Sequence, residues 1–318
     1  MSLAAGYNRR FAIVRTTNNI KDEALAGLLA PHIRQIEADI DRWLVEPSCP
    51  DELAEALGHS VLGGGKRLRP VLVHLSHEAA GGQPHDELMR RCAVAIELVH
   101  CYSLVHDDLP AMDDDVLRRG RPTVHVKFGQ AMAVLAGDAL LTRAFAVIAQ
   151  TSPSAGRQDA IGPLIGELAV AAGQVGMIAG QVADMGLCRV GQDIEGLKSI
   201  HARKTGALIR ASAVLGGRCA AAGADVMSAL SHYAQDLGLA FQVLDDVLDA
   251  TGAAEALGKT PGKDAAAGKL TYVSLLGLDE ARRMGEHLTQ RACDALIPLG
   301  QRGQKLQKLA VLLSRRSH

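Results

Sequence analysis

Apolar side chains recur at helical spacing through most of this 318-residue chain, from about position 22 onward. In residues 31–44 they occupy positions 33, 36, 40, 43 and 44, which share one face of a helix. Further helices are predicted over residues 86–108, 127–150, 159–184, 193–217, 224–251 and 272–296. No stretch alternates convincingly as a half-buried strand would, and aromatic residues make up only 3% of the chain, which disfavours a β-sandwich. The sequence therefore predicts an all-α fold.

The breaks between the predicted helices are short. They fall at residues 80–84, 151–156 and 252–269, where glycine and other helix-breaking residues interrupt the apolar pattern. Because none of them is long enough for an interdomain linker, we predict a single-domain helical bundle over residues 31–318. Residues 1–30 are predicted to be a poorly ordered N-terminal extension.

Composition limits the partners that the protein can have. The formal net charge of −1 provides no overall field that would attract nucleic acid or an anionic membrane. We predict no membrane span, because Glu167 and two glutamines interrupt the most apolar stretch, residues 164–182, which we expect to be a buried central helix. The six cysteines form no C-x-x-C pair and no zinc-site spacing with histidine, which fits a reducing cytoplasm.

Two groups of aspartates are the strongest functional signal in the sequence. The first reads DDLPAMDDD (residues 107–115) and closes the predicted helix 86–108. Pro110 lacks a backbone donor and disfavours helix at the residue before it, so the helix should end near Asp108 and the chain should turn. That turn would bring Asp113 back toward the start of the motif and make a chelating pocket.

The second group reads DDVLD (residues 245–249) and closes the predicted helix 224–251. Its first and last carboxylates lie one turn apart on the same face, about 40° around the helix axis. Acidic side chains at a helix C-terminus oppose the helix dipole, so both placements cost stability unless something compensates. A solvated helix end explains either group alone, but two such groups favour a function. Because Mg²⁺ binds carboxylate and phosphate oxygens, and basic residues follow both groups, the sequence indicates a diphosphate held by metal.

A third signal is the segment GGGKRLRP at residues 63–70. Glycines allow the backbone to approach an anion, and the cations that follow can bind it. The segment is not a nucleotide-binding P-loop, because it lacks the Ser or Thr that must follow the lysine. The stretch Gly258-Lys259-Thr260 is rejected as well, since position 253 is not glycine and Pro261 prevents the expected helix start.

Taken alone, His100 would be an ordinary core histidine. Taken alone, Lys204 and Thr205 would be the start of a helix at the surface. The order of the motifs gives them another meaning. Along the chain occur GGKRLRP, HxYSLxHDDLPAMDDDxLRRGxPTxH, HxxKTGALI, FQVxDDxLD and GKxxGxD. Together, over about residues 50–280, they resemble the trans-isoprenyl diphosphate synthases, and most closely the bacterial farnesyl diphosphate synthases.

This resemblance implies an all-helical homodimer in which each central cavity has the two aspartate motifs facing each other across its mouth. It implies a dimethylallyltranstransferase and geranyltranstransferase that condenses isopentenyl diphosphate with dimethylallyl or geranyl diphosphate, giving mainly (2E,6E)-farnesyl diphosphate. The cofactor would be Mg²⁺, with three ions per active site. The reaction would pass through an allylic carbocation, which an apolar cavity protects from water.

Residue by residue, the resemblance assigns the following roles. The ligands of isopentenyl diphosphate would be Lys66, Arg69, His100 and Arg119. The Mg²⁺ ligands on the allylic diphosphate would be Asp107, Asp108, Asp113, Asp245 and Asp249. The cations that neutralise this diphosphate would be Arg118, Lys204, Lys259 and Lys269, with Thr205 and Gln242 near the forming carbocation.

Product length would depend on Tyr102, which lies five residues before the first aspartate, about 7.5 Å along the helix. In the farnesyl diphosphate synthases that the chain resembles, an aromatic at this position forms the floor that stops elongation, and the small Ser103 leaves this task to Tyr102. The structural alternative is that Tyr102 is only a core aromatic.

The main alternative function is a geranylgeranyl diphosphate synthase. A terpene cyclase would normally carry Asn and Ser or Thr before a Glu in the second motif, and a catalytically silent partner subunit would have eroded aspartates.

Overall fold

A computed structural model of the protein describes residues 22–251 and 270–315. Within these ranges the α-helices, numbered in chain order, are α1 (Glu23–Trp43), α2 (Asp51–Val61), α3 (Leu68–Ala79), α4 (Glu87–Asp107), α5 (Val124–Phe128), α6 (Gln130–Ala149), α7 (Gln158–Ala172), α8 (Met177–Asp184), α9 (Ile194–His201), α10 (Ala207–Cys219), α11 (Ala224–Ala250), α12 (Tyr272–Leu276), α13 (Leu278–Ala295) and α14 (Gln304–Ser314). The strands β1 (Leu117–Arg118) and β2 (Arg121–Pro122) form a small antiparallel hairpin. Apart from this hairpin, the predicted all-α fold is confirmed.

The first helix begins before residue 31, where the sequence analysis placed the start of the domain. The side chain of Asp22 accepts hydrogen bonds from two backbone N–H groups of the first turn, at 2.9 and 3.0 Å. Leu25 and Leu29 are fully buried. Residues 23–30, which were predicted to belong to a poorly ordered extension, instead form the start of α1 because capping and apolar burial hold them. Residues 1–21 lie outside the described part of the chain.

The described residues fall into two compact units, the first of which comprises residues 22–71 and 90–161. In this unit α2 packs against α5 and α6. Trp43, at the end of α1, is contacted by four arginines of this unit, three over its ring and one at its carbonyl oxygen. The guanidinium carbon of Arg91 lies 4.6 Å from the centre of the indole ring, and Arg143 donates a hydrogen bond to the Trp43 carbonyl oxygen at 2.7 Å.

The β1–β2 hairpin belongs to the same unit and connects the first aspartate motif to α5. Arg118 pairs with Arg121, so Arg119 and Gly120 form the turn between the strands. Both turn residues have positive φ, 54° and 73°, as a type I′ turn requires. This hairpin was not predicted, because strands of two residues are too short to show alternation.

The second unit comprises residues 72–89, 162–251 and 270–315. Its longest helix, α11, packs along α13 and against α10. The apolar cluster around the C-terminal half of α11 contains Leu197, Ala240, Val243, Val247, Tyr272, Ala281 and Leu288. These contacts hold the end of α11, where the second aspartate motif lies.

Two predicted helices of this unit are interrupted. The helix predicted over residues 272–296 divides at Gly277, whose φ of 81° a residue with a side chain rarely adopts. The helix predicted over residues 159–184 consists of α7 and α8, with a break at residues 173–176. The prediction that the chain forms one domain from residue 31 stays a prediction.

Within residues 22–251 and 270–315, two helical stretches are long and apolar enough to cross a membrane, Gln130–Ala149 and Gln158–Asp184. Both are only partly buried, the first by 39% and the second by 33% over its most apolar part. Such stretches are weak evidence for a span, because core helices of soluble proteins meet the same criteria. The second stretch contains the helix that was expected to be buried throughout. That expectation is wrong, since within its unit only one face of the stretch packs inward.

Candidate active site

The glycine-rich loop predicted to bind an anion connects α2 and α3. Gly64 and Gly65 have φ values of 91° and 129°, which disfavour a side chain. Arg119 donates a hydrogen bond from Nη1 to the carbonyl oxygen of Gly64, and a Cβ at Gly65 would collide with the same guanidinium group. Lys66, the next residue, is exposed. Glycine is therefore favoured at both positions by the positive φ values, and an arginine from the β1–β2 turn packs directly onto the loop.

Arg69 and His100 are the less exposed members of a cationic cluster in this first unit. The cluster also contains the exposed Lys66 and Arg119. Nε of Arg69 is buried, and no hydrogen-bond partner for it occurs in the described part of the chain. Burial lowers the pKa of Arg69 despite the nearby Glu97, and Arg119 lowers it further. Burial also lowers the pKa of His100 well below its ordinary value, with Arg69 and Arg119 acting in the same direction. A desolvated arginine with an unsatisfied donor is unfavourable by itself, so this cluster indicates a site for an anion.

The first aspartate motif forms the predicted turn. Helix α4 ends at Asp107, and the N–H group of Asp113 donates to the carbonyl oxygen of Asp107 at 2.8 Å. Asp114, with a φ of 50°, reverses the chain direction, and its N–H group donates to the carbonyl oxygen of Leu109 at 3.2 Å. The prediction that Pro110 ends the helix and returns Asp113 to its end is therefore confirmed.

The second aspartate of this motif is engaged by an arginine of the hairpin. Nε of Arg118 donates to both carboxylate oxygens of Asp108, to Oδ1 at 2.8 Å and to Oδ2 at 3.0 Å. Nη2 of Arg118 donates to Oδ1 at 2.6 Å. The Asp108 side chain is only 4% exposed. Burial raises the pKa of Asp108, and the hydrogen bonds and charge of Arg118 oppose that rise. Because its carboxylate is held in this way, Asp108 fixes Arg118 beside the motif, and its role as a metal ligand stays a prediction.

The second aspartate motif lies at the end of α11 in the second unit. Asp246 accepts a hydrogen bond from the backbone N–H of Tyr272 at 2.8 Å, which ties the start of α12 to the motif. Asp245 and Asp249 lie one turn apart on α11, and both are half-buried. The middle aspartate thus has a structural contact, whereas the two that were predicted to bind metal occupy a common face.

The predicted Lys204 and Thr205 lie in a π-helical turn, Ala202–Gly206, between α9 and α10. Turns of this kind are frequent at functional sites because they displace the backbone from regular helix geometry. Lys204 Nζ donates to Asp184 at 2.6 Å. Thr205 Oγ1 donates to Oε1 of Gln242 at 2.8 Å, so these two predicted residues are in direct contact.

Sequence reasoning missed two polar residues on α8 of the same unit. Asp184 orients Lys204. Gln181, one turn earlier, has both amide heteroatoms buried, with no hydrogen-bond partner in residues 22–251 and 270–315. A Cβ at Gly180 would collide with the backbone of Lys204, so α8 and the π turn pack closely. No local pattern identifies these residues, because the contact joins segments about twenty positions apart.

Tyr102 lies on the buried face of α4, with 6% of its surface exposed. Burial, with the charge of Asp107, raises its pKa to about 12. Its hydroxyl is buried, and within the described residues it finds no hydrogen-bond partner. The ring of His106 packs edge-on against the ring of Tyr102, with 5.8 Å between the ring centres. Ser103 bonds the carbonyl oxygen of His100 at 2.9 Å. The roles of Tyr102 and Ser103 in product length stay predictions.

The donor chemistry of both aspartate motifs fits Mg²⁺, because carboxylate oxygens are its preferred protein ligands. Among the residues that the structure describes, no group of three or more His, Cys, Asp or Glu side chains forms a metal cage. Mg²⁺ usually retains water and binds one or two carboxylates together with substrate phosphates, so the motifs suit an ion that arrives with its substrate. Lys259 and Lys269, predicted to neutralise the diphosphate, lie outside the described residues.

A family model described as Polyprenyl synthetase matches residues 50–296, which include both aspartate motifs and the cationic loop. The chain belongs to this family. This polyprenyl synthetase is 43% identical over 295 residues to a probable farnesyl diphosphate synthase of Bradyrhizobium diazoefficiens, which covers 89% of this chain and 87% of the relative.

Two further comparisons set the range of its relatives. The polyprenyl synthetase is 45% identical over 273 residues to the heterodimeric geranylgeranyl pyrophosphate synthase large subunit 1 of Arabidopsis thaliana, covering 83% of this chain and 71% of the relative. The solved structure of a geranyltransferase from Legionella pneumophila matches with a TM-score of 0.80 at 30% identity, over 93% of this chain and 98% of that one. The predicted family and isoprenoid synthase fold are therefore confirmed.

Proposed function

We propose that this polyprenyl synthetase condenses isopentenyl diphosphate with dimethylallyl and geranyl diphosphates, and that its main product is (2E,6E)-farnesyl diphosphate. One observation carries the proposal: α4 bears His100 of the cationic cluster and, seven residues later, the aspartates. These lie about 10 Å apart along the helix at 1.5 Å per residue. Two anionic groups can thus be recognised on one helix, one by cations and one through metal.

The cationic cluster would bind isopentenyl diphosphate. Its members are the exposed Lys66 and Arg119 and the less exposed Arg69 and His100, and the buried Nε of Arg69 would donate to the anion. Burial and then the neighbouring arginines depress the pKa of His100, and a bound diphosphate would oppose the effect of the arginines.

The allylic diphosphate would be held by the aspartates and the remaining cations. The residues proposed to supply carboxylate oxygens to Mg²⁺ are Asp107, Asp108, Asp113, Asp245 and Asp249. Bound Mg²⁺ would neutralise negative charge on the diphosphate. From the family resemblance we propose three ions per site. The cations proposed to contact the same diphosphate are Arg118, Lys204, Lys259 and Lys269.

The reaction needs no protein nucleophile. The bond between the allylic carbon and the diphosphate oxygen breaks, and both electrons leave with the diphosphate. The double bond of isopentenyl diphosphate then attacks the allylic cation, and the departed diphosphate accepts the proton that is lost. Arg118, fixed by Asp108, and Lys204, fixed by Asp184, would stabilise the leaving group. Oxygen atoms of Thr205 and Gln242 would face the positive charge.

Chain length is the point on which the relatives divide, because both farnesyl and geranylgeranyl enzymes are similar to this chain. We favour the fifteen-carbon product because Tyr102 places a bulky ring on α4 below the first aspartate. Purified protein should be incubated with isopentenyl and dimethylallyl diphosphates and Mg²⁺, and the dephosphorylated products separated by chromatography. Mainly farnesol supports the proposal, whereas mainly geranylgeraniol establishes the alternative. Absence of any elongated product would support a cyclase or a silent subunit.

We also propose a cytoplasmic homodimer. Val134 and Leu135 on α6 are 42% and 57% exposed, which is unfavourable for apolar side chains unless another surface covers them. All six cysteines are free, as expected in a reducing compartment. Light scattering of the purified protein should give twice the mass of one chain; a monomer would contradict the dimer.

A further inference from the structure

Arg67 is a cation in the middle of the GGGKRLRP segment, but its side chain points into the protein. It is 2% exposed, and all three of its donor nitrogens are engaged. Nε donates to Glu37 of α1 at 2.6 Å, and Nη1 donates to Glu97 of α4 at 2.8 Å. Nη2 donates to the carbonyl oxygen of Val61 at the end of α2, at 2.7 Å. Its donors are therefore unavailable for a substrate anion.

The backbone of Arg67 is as unusual as its side chain. Its φ of 49° lies in the left-handed region, which residues with a Cβ disfavour. Its carbonyl oxygen accepts the hydrogen bond from Val71 N at 3.0 Å, at the start of α3. A strained residue of this kind persists only when its surroundings fix it, and such residues concentrate at functional sites. Here the three side-chain hydrogen bonds provide that constraint.

We infer that Arg67 is a positioning residue that prearranges the loop for isopentenyl diphosphate, an inference that rests on the proposed function. Anchoring Arg67 to three helices sets the direction of the chain on either side of it. Lys66 before it is exposed, and Arg69 after it joins the cationic cluster with His100.

The need for such an anchor follows from the glycines. Gly63, Gly64 and Gly65 give the loop more conformational freedom than other residues would. Ordering the loop during binding would weaken affinity, whereas a loop that is already ordered avoids this loss. Glu97 contributes in a second way, since its charge also acts on Arg69. For that reason Glu97 is a poor choice for an experiment that must isolate the anchor.

The test uses Arg67→Lys and Glu37→Gln in the full-length protein. Lysine keeps the charge but cannot make three diverging hydrogen bonds. Glu37 is the more accessible partner, with 18% of its side chain exposed, so Glu37→Gln should fold even where Arg67→Lys does not. The matched control is Arg90→Lys, because Arg90 binds the buried Asp39 and joins the same two helices, α1 and α4.

We expect Arg67→Lys to raise KM for isopentenyl diphosphate about tenfold, with KM for geranyl diphosphate changed by less than about twofold. Glu37→Gln should raise the first KM about threefold, since one of three contacts is weakened. Arg90→Lys should lower Tm without separating the two KM values. The inference is overturned if the Arg67 and Glu37 variants change both KM values equally, or neither, as the control would.

Calorimetric titration with isopentenyl diphosphate alone separates this inference from the proposed function. If wild-type protein binds this compound without condensing it, the proposed function fails, and the variants still test the loop through Kd. If turnover and Lys66→Ala behave as proposed but the Arg67 and Glu37 variants bind like wild type, only the positioning role fails. Absence of both binding and turnover in the wild-type protein overturns both.

Discussion

Replacing Asp107 by alanine should remove most turnover while leaving stability almost unchanged. Asp107 ends α4, and the hydrogen bond from Asp113 that closes the following turn uses its backbone carbonyl oxygen. The substitution leaves that bond in place. The side chain is half-buried, and its charge lies at the negative end of the helix dipole. The change therefore removes a proposed metal ligand without removing part of the apolar core.

The two expected magnitudes differ clearly. An acidic side chain at a helix C-terminus is unfavourable by about 0.3–1 kcal/mol at an exposed site. Attraction between Asp107 and Arg118 offsets part of this cost, so the net change in the free energy of unfolding should stay below about 1 kcal/mol. That corresponds to a change in Tm of less than about 3 °C for a chain of this size. Loss of electrostatic stabilisation at the leaving group should lower kcat by about 10²–10³, or ~2.7–4 kcal/mol.

The assay combines incorporation of radiolabelled isopentenyl diphosphate, with geranyl diphosphate and Mg²⁺ in excess, and thermal unfolding followed by circular dichroism. Asp114→Asn is the matched control, because it removes a charge from the same motif and asparagine tolerates the φ of 50°. The control should keep kcat within about threefold of wild type, far from the loss expected at a metal ligand. Turnover of Asp107→Ala within about tenfold of wild type would refute the metal assignment.

Three further outcomes are expected. Tyr102→Ala should shift the products to twenty carbons or longer. Tyr102→Phe should keep the wild-type product, because the Tyr102 hydroxyl has no hydrogen-bond partner among the described residues. If the ring is only core packing, chromatography will show the same product length for Tyr102→Ala as for wild type. Lys66→Ala should raise KM for isopentenyl diphosphate more than KM for geranyl diphosphate, and an equal rise in steady-state kinetics would contradict the division of roles. His100 should take up a proton when isopentenyl diphosphate binds, because burial and nearby arginines lower its pKa in the free enzyme and the anion would raise it. Affinity should then increase as the pH falls toward the low pKa that His100 has in the free enzyme. Calorimetry in buffers of different ionisation enthalpy measures the proton uptake, which His100→Asn should lose.

The aspartate motifs show how far local sequence rules reach. The sequence predicted that Pro110 would end α4 and that the chain would fold back, and the hydrogen bond from Asp113 to Asp107 agrees. A missing N–H group and a restricted preceding residue act within one turn, so no distant contact was needed. The same rules could not show that Asp108 is held by Arg118, because the hairpin that carries Arg118 was itself not predicted.

The sequence by itself determined the helical class, most helix positions and the chemical character of the site, because periodicity, proline and charge clusters act over a few residues. Only the tertiary structure decided where the charged side chains point. Arg67 and Arg69 look equivalent in sequence, yet Arg67 binds Glu37 and Glu97, each thirty positions away, and Arg69 keeps an unsatisfied buried donor. Lys204 is likewise oriented by Asp184, twenty positions earlier. Which of several similar cations is buried and paired depends on contacts between distant segments, and these exist only after the helices have packed.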